Sequence, residues 1–219
     1  MVLRKVKFAI GEYYHLYNRG NSKQIIFRDK EDYNRFAALL YACNREDNIK
    51  ADNLGKREDF FHLDPGNSRI VAIGAYCLMP NHFHILAREI VSDGITRFIR
   101  RLCTAYVMYY NKKYNRTGGL FEGKFKSEYA MSDRYLKYLF SYIHLNPIKL
   151  IEPKWKEIGV INIQGTKQYL RTYEYSSYCD YLGVRRKHNS ILTTMEFPNY
   201  FPTKHSFEEE IWSWVSFKP

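Results

Sequence analysis

Several things are scarce in this chain, and each scarcity removes a class of protein. Four cysteines, Cys43, Cys77, Cys103 and Cys179, are scattered through 219 residues with no Cys-x-x-Cys pair. Neither a disulfide framework nor a zinc ribbon is suggested. No apolar run approaches the roughly 20 residues that span a bilayer. Met1 to Ile10 lacks the apolar core of a signal peptide, so the default location is cytoplasmic. Acids are outnumbered by lysine and arginine, 23 to 34, for a net charge of +11. That surplus points to a polyanionic partner, nucleic acid ahead of an anionic membrane surface, and a basic ribosome-associated protein would share it. Internal repeats and low-complexity tracts are absent. What is plentiful is tyrosine, 20 residues in all, able to fill a core or to stack on bases.

The length suits one domain with an appendage. Glu12 to Arg19 alternates, with Tyr13, His15 and Tyr17 opposite Tyr14 and Leu16, and reads as a strand ended by Gly20-Asn21. Asp29 is the expected N-cap of a helix, with Asp32 reinforcing its first turn and Tyr33, Phe36, Leu39, Leu40 and Cys43 on one face. Asp47 to Arg69 is polar and reads as a long loop. Ile70 to Leu78 and His82 to Ala87 read as two strands around a Pro80-Asn81 turn. A second helix is expected from an Asp93 cap to Gly118-Gly119. The order β-α-β-β-α implies an α+β fold, an antiparallel sheet covered by helices, with ferredoxin-like topology.

The second strand of that hairpin carries His82-Phe83-His84. Strand alternation puts both imidazoles on one face, about 7 Å apart at roughly 3.3 Å of rise per residue. Neutral imidazole is the commonest protein ligand for a divalent metal, so the pair reads as half a metal site or as two half-buried strand histidines. Downstream, Leu120 to Ser127 reads as a loop in which Lys124 and Lys126 alternate with aromatics: a core-anchored turn, or a phosphate clamp with a stacking platform. Ser132 then caps a third helix, Arg134 to Asn146, stopped by Pro147. Tyr142 and Asn146 lie four apart, within reach over one turn. A tyrosine of ordinary pKa near 10 is a weak nucleophile and needs a nearby cation or base to ionise. A metal beside a phosphate stabilises the developing charge. Asn146 could add oxygen to two histidine nitrogens, a donor set that suits Mn²⁺ and admits Mg²⁺.

Five ordered blocks carry a resemblance: Tyr14 to Asn21, Ile26 to Asp29, Ala75 to His84, Gly119 to Ser127, and Tyr142 to Pro147. Together they resemble the HUH single-tyrosine transposases, close to the REP-associated tyrosine transposases and their insertion-sequence relatives. The resemblance runs from about residue 10 to residue 183 if Ser176 to Gly183 is its last block. It implies a metal-binding HUH endonuclease, a DNA-binding enzyme of transposition and recombination that cleaves and rejoins hairpin-containing single-stranded DNA through a 5′-phosphotyrosine intermediate. By motif, Tyr142 would be the nucleophile, His82 and His84 the metal ligands, and Asn146 the further ligand. His144 would be structural or DNA-facing, and His15 would support a ligand rather than bind metal. Arg19, Arg28, Arg100, Arg101, Lys124 and Lys126 are the DNA-binding candidates. No membrane partner is implied, and a homodimer is possible. Two rivals stand beside this reading: a catalytically silent DNA-binding protein, and a basic RNA-binding protein with a structural zinc. Intact His82, His84 and Tyr142 count against the first, and the lack of two further ligands at zinc spacing counts against the second. The expected organisation is a catalytic domain over residues 1-150 and a C-terminal extension over 151-219, in which Glu174 to Leu182 reads as a short helix and Phe207 to Val215 as an amphipathic one.

Overall fold

Strict alternation in the first strand and the hairpin builds a sheet with two differently used faces. The computed structural model describes residues 7–46, 61 and 69–216; most of the loop expected over Asp47 to Arg69 lies outside them. Strand β1 (Tyr13–Arg19), helix α1 (Lys30–Ala42), strands β2 (Val71–Met79) and β3 (His82–Glu89), helix α2 (Gly94–Lys113) and strand β4 (Lys126–Tyr129) follow in order. The sheet runs β2-β3-β1-β4, and every pairing is antiparallel. This is the ferredoxin-like arrangement of an α+β fold, as the residue pattern implies. β4 departs from the residue pattern, which places Lys126 in a loop. With only four residues, a charged edge strand carries too little periodicity to be recognised.

One face of the sheet is closed by α1 and α2. Leu16, Phe83 and Ile85 pack there against Phe36, Leu40, Phe98 and Leu102, all fully buried. Asp29 does cap α1, accepting from the Asp32 amide, and the Asp32 carboxylate accepts from the Arg28 amide in return. Asp93 does not cap α2: it sits at φ +60° with no capping bond, and the buried Glu89 carboxylate accepts from the Gly94 and Ile95 amides instead. α2 ends at Lys113, short of the expected glycines, in a turn where the Arg116 amide donates to the Asn111 carbonyl. The large tyrosine supply fills this layer. Tyr106 and Tyr110 are fully buried and donate their hydroxyls to the Ile26 and Ile25 carbonyls.

The other face carries helix α3 (Asp133–His144), whose Leu136, Leu139, Phe140 and Ile143 cover Ala75, Cys77 and Leu86. Ser132 caps it, accepting from the Tyr135 amide. α3 stops two residues before the expected end, and a 3-10 turn from Asn146 to Leu150 carries Pro147 at its start. Proline has no amide to give and crowds its predecessor, so the α-helical ladder closes early.

The remaining chain wraps this face. One-turn helix α4 (Trp155–Ile158), α5 (Ile163–Thr172), one-turn α6 (Tyr178–Tyr181) and α7 (Lys204–Ser216) pack with the end of α3 around Trp155, Leu170, Phe207 and Trp212. The α7 amphipathic face thus docks on the chain's own core. Sequence showed little order over 151–172, because α5 buries only Thr166 and Leu170. The free edge of β2 meets the same segment: the Leu78 amide donates to the Tyr175 carbonyl, Ser177 bonds Tyr76 in both directions, and Thr193 donates to the Ile73 carbonyl.

Candidate active site

Register puts the chemistry on the α3 face. Tyr17 lies opposite His84, Arg19 opposite His82 and His15 opposite Leu86, while on the other side of β1 Glu128 faces His15 and Lys126 faces Tyr17. Cross-strand partners project to the same side. His15, Tyr17, Arg19, His82, His84, Lys126 and Glu128 therefore share one face. A cleft of about 260 Å³ opens between this face and α3, lined by His15, Tyr17, His84, Glu128, Tyr135, Tyr138, Leu139 and Tyr142.

His82 and His84 lie edge to face with ring centroids 5.0 Å apart, closer than the backbone spacing of their strand positions. The Tyr142 ring stands edge-on at 5.6 Å from both His84 and His15. Each histidine has one nitrogen engaged. His82 Nδ1 is 2.6 Å from Asn81 Oδ1, and His84 Nδ1 is 2.8 Å from His15 Nε2. His15 Nδ1, buried and without a hydrogen-bond partner, lies 3.8 Å from Glu128 Oε2. If His15 Nδ1 carries its proton towards that carboxylate, His15 Nε2 accepts from His84 Nδ1–H, and the lone pair of His84 falls on Nε2. A carboxylate behind a histidine fixes tautomer and orientation in this way. Glu128 is itself held by the Tyr17 and Tyr135 hydroxyls at 2.9 and 3.1 Å. Sequence reasoning missed it, because without β4 there was no strand to aim it.

All three imidazoles are kept neutral. Burial pushes His82 down to about 4, with Arg19 and Lys149 adding repulsion. Burial also lowers His15 to about 4 against the opposing pull of Glu128. His84 lies well below its ordinary value through burial and then the neighbouring His15, His82 and two lysines. Burial raises the Tyr142 phenol, Tyr138 and Glu128 raise it further, and Arg19 opposes them. Tyr142 thus needs added positive charge to become a nucleophile.

Among the described residues, no group of three or more His, Cys, Asp or Glu is arranged to hold a metal ion. The donors present still fit a divalent cation bound by two neutral imidazoles and completed by oxygen. Both Nδ1 atoms are engaged elsewhere, which leaves the Nε2 atoms of His82 and His84 as donors. Asn146 is buried and its Nδ2 donates to the Tyr142 carbonyl at 2.7 Å, capping the helix end and leaving Oδ1 as the amide's ligand atom.

The other expected residues divide by layer. Arg19 and Lys126 are on the site face, with Lys124 in the loop just before β4. Arg28 lies over the Tyr114 and Tyr110 rings at 4.5 and 5.6 Å. Arg101 donates to the Arg45 carbonyl, and Arg100 is exposed on the same helix, α2. These three belong to the layer behind the sheet. His144 is fully buried, 2.7 Å from Ser177 Oγ, in a structural position away from the cleft.

No protein-family model matches the chain, and no curated protein matches it. Among solved structures it is similar to a REP-associated tyrosine transposase bound to a REP hairpin, with a TM-score of 0.52 at 12% identity over 86% of this chain and 90% of that one. The chain has that transposase's fold. The alignment extends well past residue 150 in length, so the likeness takes in more than the sheet and its first helices. No helix among the described residues is long and apolar enough to cross a membrane.

Proposed function

We propose that this protein is a metal-dependent endonuclease and strand transferase acting on hairpin-containing single-stranded DNA, with Tyr142 as its nucleophile. The observation that carries the reading is the cleft: one chain sets the Tyr142 ring 5.6 Å, centroid to centroid, from the His84 ring, on the fold of a tyrosine transposase bound to a REP hairpin. Tyr142 Oη attacks phosphorus in line as the P–O3′ bond breaks. The phenol proton is lost, the departing 3′ oxygen gains one, and the 5′ phosphate stays on the tyrosine. Attack by another 3′ hydroxyl reverses these steps, so rejoining needs no nucleotide cofactor.

His82 and His84, with Asn146, would hold Mg²⁺ or Mn²⁺, which when bound polarises phosphoryl oxygens and stabilises developing charge. His15 keeps His84 in the required tautomer, with Glu128 behind it. Arg19 places a fixed positive charge where it favours the phenolate. Lys126, exposed on the same face, and Lys124, in the loop just before it, suit backbone phosphates.

The test is a panel of single-stranded hairpin DNAs incubated with Mn²⁺ or Mg²⁺, comparing wild type with Tyr142→Phe. A protein–DNA adduct on a denaturing gel, mapped to Tyr142 and lost in the variant, is expected. An adduct on another tyrosine would overturn the assignment of the nucleophile. Tight binding with no adduct on any hairpin would favour a silent DNA-binding protein.

A further inference from the structure

Two lysines that the sequence did not single out lie near Tyr142 and the cleft histidines. Lys156 Nζ stands 4.4 Å from the centroid of the Tyr142 ring. Lys149 comes from the 3-10 turn that follows α3, and its charge acts on His82, His84 and Lys156. Among the described residues neither lysine has a carboxylate partner. Other lysines of this chain do: Lys113 touches Asp29, Glu31 and Asp32, and Lys137 touches Glu210. Two ammonium groups near each other, beside neutral imidazoles and with neither in ion-pair contact with a carboxylate, add positive charge on the Lys149 and Lys156 side of Tyr142. That charge is opposite in sign to Glu128 in the cleft lining, and an anion there would relieve it.

The backbone that carries Lys156 is also held in place. Its neighbour Trp155 is buried among Leu145, Ile148, Leu170 and Phe207. The loop beyond is tied by the Glu152 carboxylate, which accepts from the Ile161 and Asn162 amides and the Thr166 hydroxyl. The backbone position from which the exposed Lys156 side chain reaches Tyr142 is thus fixed before any strand binds.

We propose that Lys156 and Lys149 form a phosphate-binding site over Tyr142, taking the non-bridging oxygens of the nucleic-acid phosphodiester brought to that hydroxyl. The site rests on the function proposed above for Tyr142. Lys156 leaves the ring face, or shares itself between ring and phosphate, when the strand enters. Lys149 closes the site from the side of His82 and His84.

The test separates phosphate binding from chemistry. Affinity of wild type, Lys149→Ala, Lys156→Ala, Lys156→Arg and the double alanine variant for a single-stranded oligonucleotide is measured across a salt series. Each phosphate contact removed should flatten the slope of log affinity against log salt by about 0.7, and Lys156→Arg should keep the wild-type slope. On any hairpin that yields the Tyr142 adduct, single-turnover adduct formation by Lys156→Ala at saturating DNA should be about tenfold to a hundredfold slower, with Lys156→Arg recovering most of the rate. Unchanged salt slopes in both single variants and the double variant would overturn the site, whether or not cleavage is seen. If wild type forms no adduct while the slopes flatten as stated, the proposed reaction fails and the phosphate site stands. Slopes that flatten while the Lys156→Ala rate equals wild type would move the bound phosphate away from the tyrosine and overturn the placement.

Discussion

Lowering the pH should unfold this protein through its histidines, and His144 shows why. Its side chain is fully buried against Tyr181 and Phe207. Burial drives its pKa down to about 3, against the opposing effect of the nearby Phe140 carbonyl. In the unfolded chain the same imidazole takes a proton near pH 6.5. Between those values the unfolded state holds a proton that the folded state refuses. The stabilisation is therefore complete above about pH 6.5 and is lost as pH falls towards 3, at up to 1.36 kcal/mol per pH unit. From pH 7.5 to 5.0, His144 alone accounts for about 2 kcal/mol, a sizeable part of a typical net stability of about 5–15 kcal/mol. His15, His82, His84 and His188 are also depressed by burial and act in the same direction. Urea unfolding at pH 7.5, 6.5, 5.5 and 5.0, with chelator present so that no metal holds the cleft histidines, should show the midpoint falling throughout. In His144→Gln, starting from a lower stability, the fall should be shallower by about one proton. A flat midpoint, or a variant with the full wild-type slope, would refute the claim that His144 is held neutral.

Three further outcomes are expected. The Arg186 guanidinium spans both Asp180 oxygens, with Nε to Oδ1 at 2.9 Å and Nη2 to Oδ2 at 2.5 Å, and it also donates to the Glu174 and Ser176 carbonyls. Arg186→Met leaves Asp180, whose side chain is 1% exposed, charged and unpaired, so urea denaturation should show a loss of about 3–5 kcal/mol; a loss under 1 kcal/mol would mean the pair is not buried in solution. His82→Ala should abolish metal-dependent DNA cleavage while leaving hairpin affinity within about threefold, since one neutral side chain adds little to phosphate attraction; full cleavage by this variant would remove the metal from the mechanism. At the β2 bulge a Cβ on Gly74 would lie 2.7 Å from the Phe197 ring, so Gly74→Ala should cost about 1–3 kcal/mol in thermal or urea melts, and a neutral result would show that Phe197 yields freely.

What could be read in the sequence follows from how local each signal is. Alternation in β1 and β3 was enough to put His82 and His84 on one face and to show that His15 faces the other way from Tyr14 and Leu16. The caps at Asp29 and Ser132 were legible because a capping side chain lies within three residues of its amide. The α2 cap was not, because Glu89 reaches it from the preceding strand and Asp93 only mimics the local pattern. Glu128 stayed hidden with β4, whose identity depends on pairing with a β1 partner more than a hundred residues earlier. Lys149 and Lys156 were invisible for a related reason: nothing near them in sequence says that the turn carrying Trp155 folds back over Tyr142. Local periodicity found the histidine and tyrosine sides of the cleft, and long-range packing supplied its charges.

The bonds along the outer side of β2 have a consequence for how the protein stays in solution. β2 ends the sheet, and its residues are nearly all apolar, the kind of exposed strand onto which another chain can add itself. Asn44 pairs with the Val71 amide and carbonyl, Thr193 and Tyr181 take the Ile73 and Gly74 carbonyls, and the run from Tyr173 to Ser177 occupies Tyr76 and Leu78. The opposite end of the sheet needs no such cover, because β4 is four residues long and charged. The segment beyond residue 172 thus acts as a built-in guard against strand addition, and a chain cut before it would present a sticky edge to its own copies during folding.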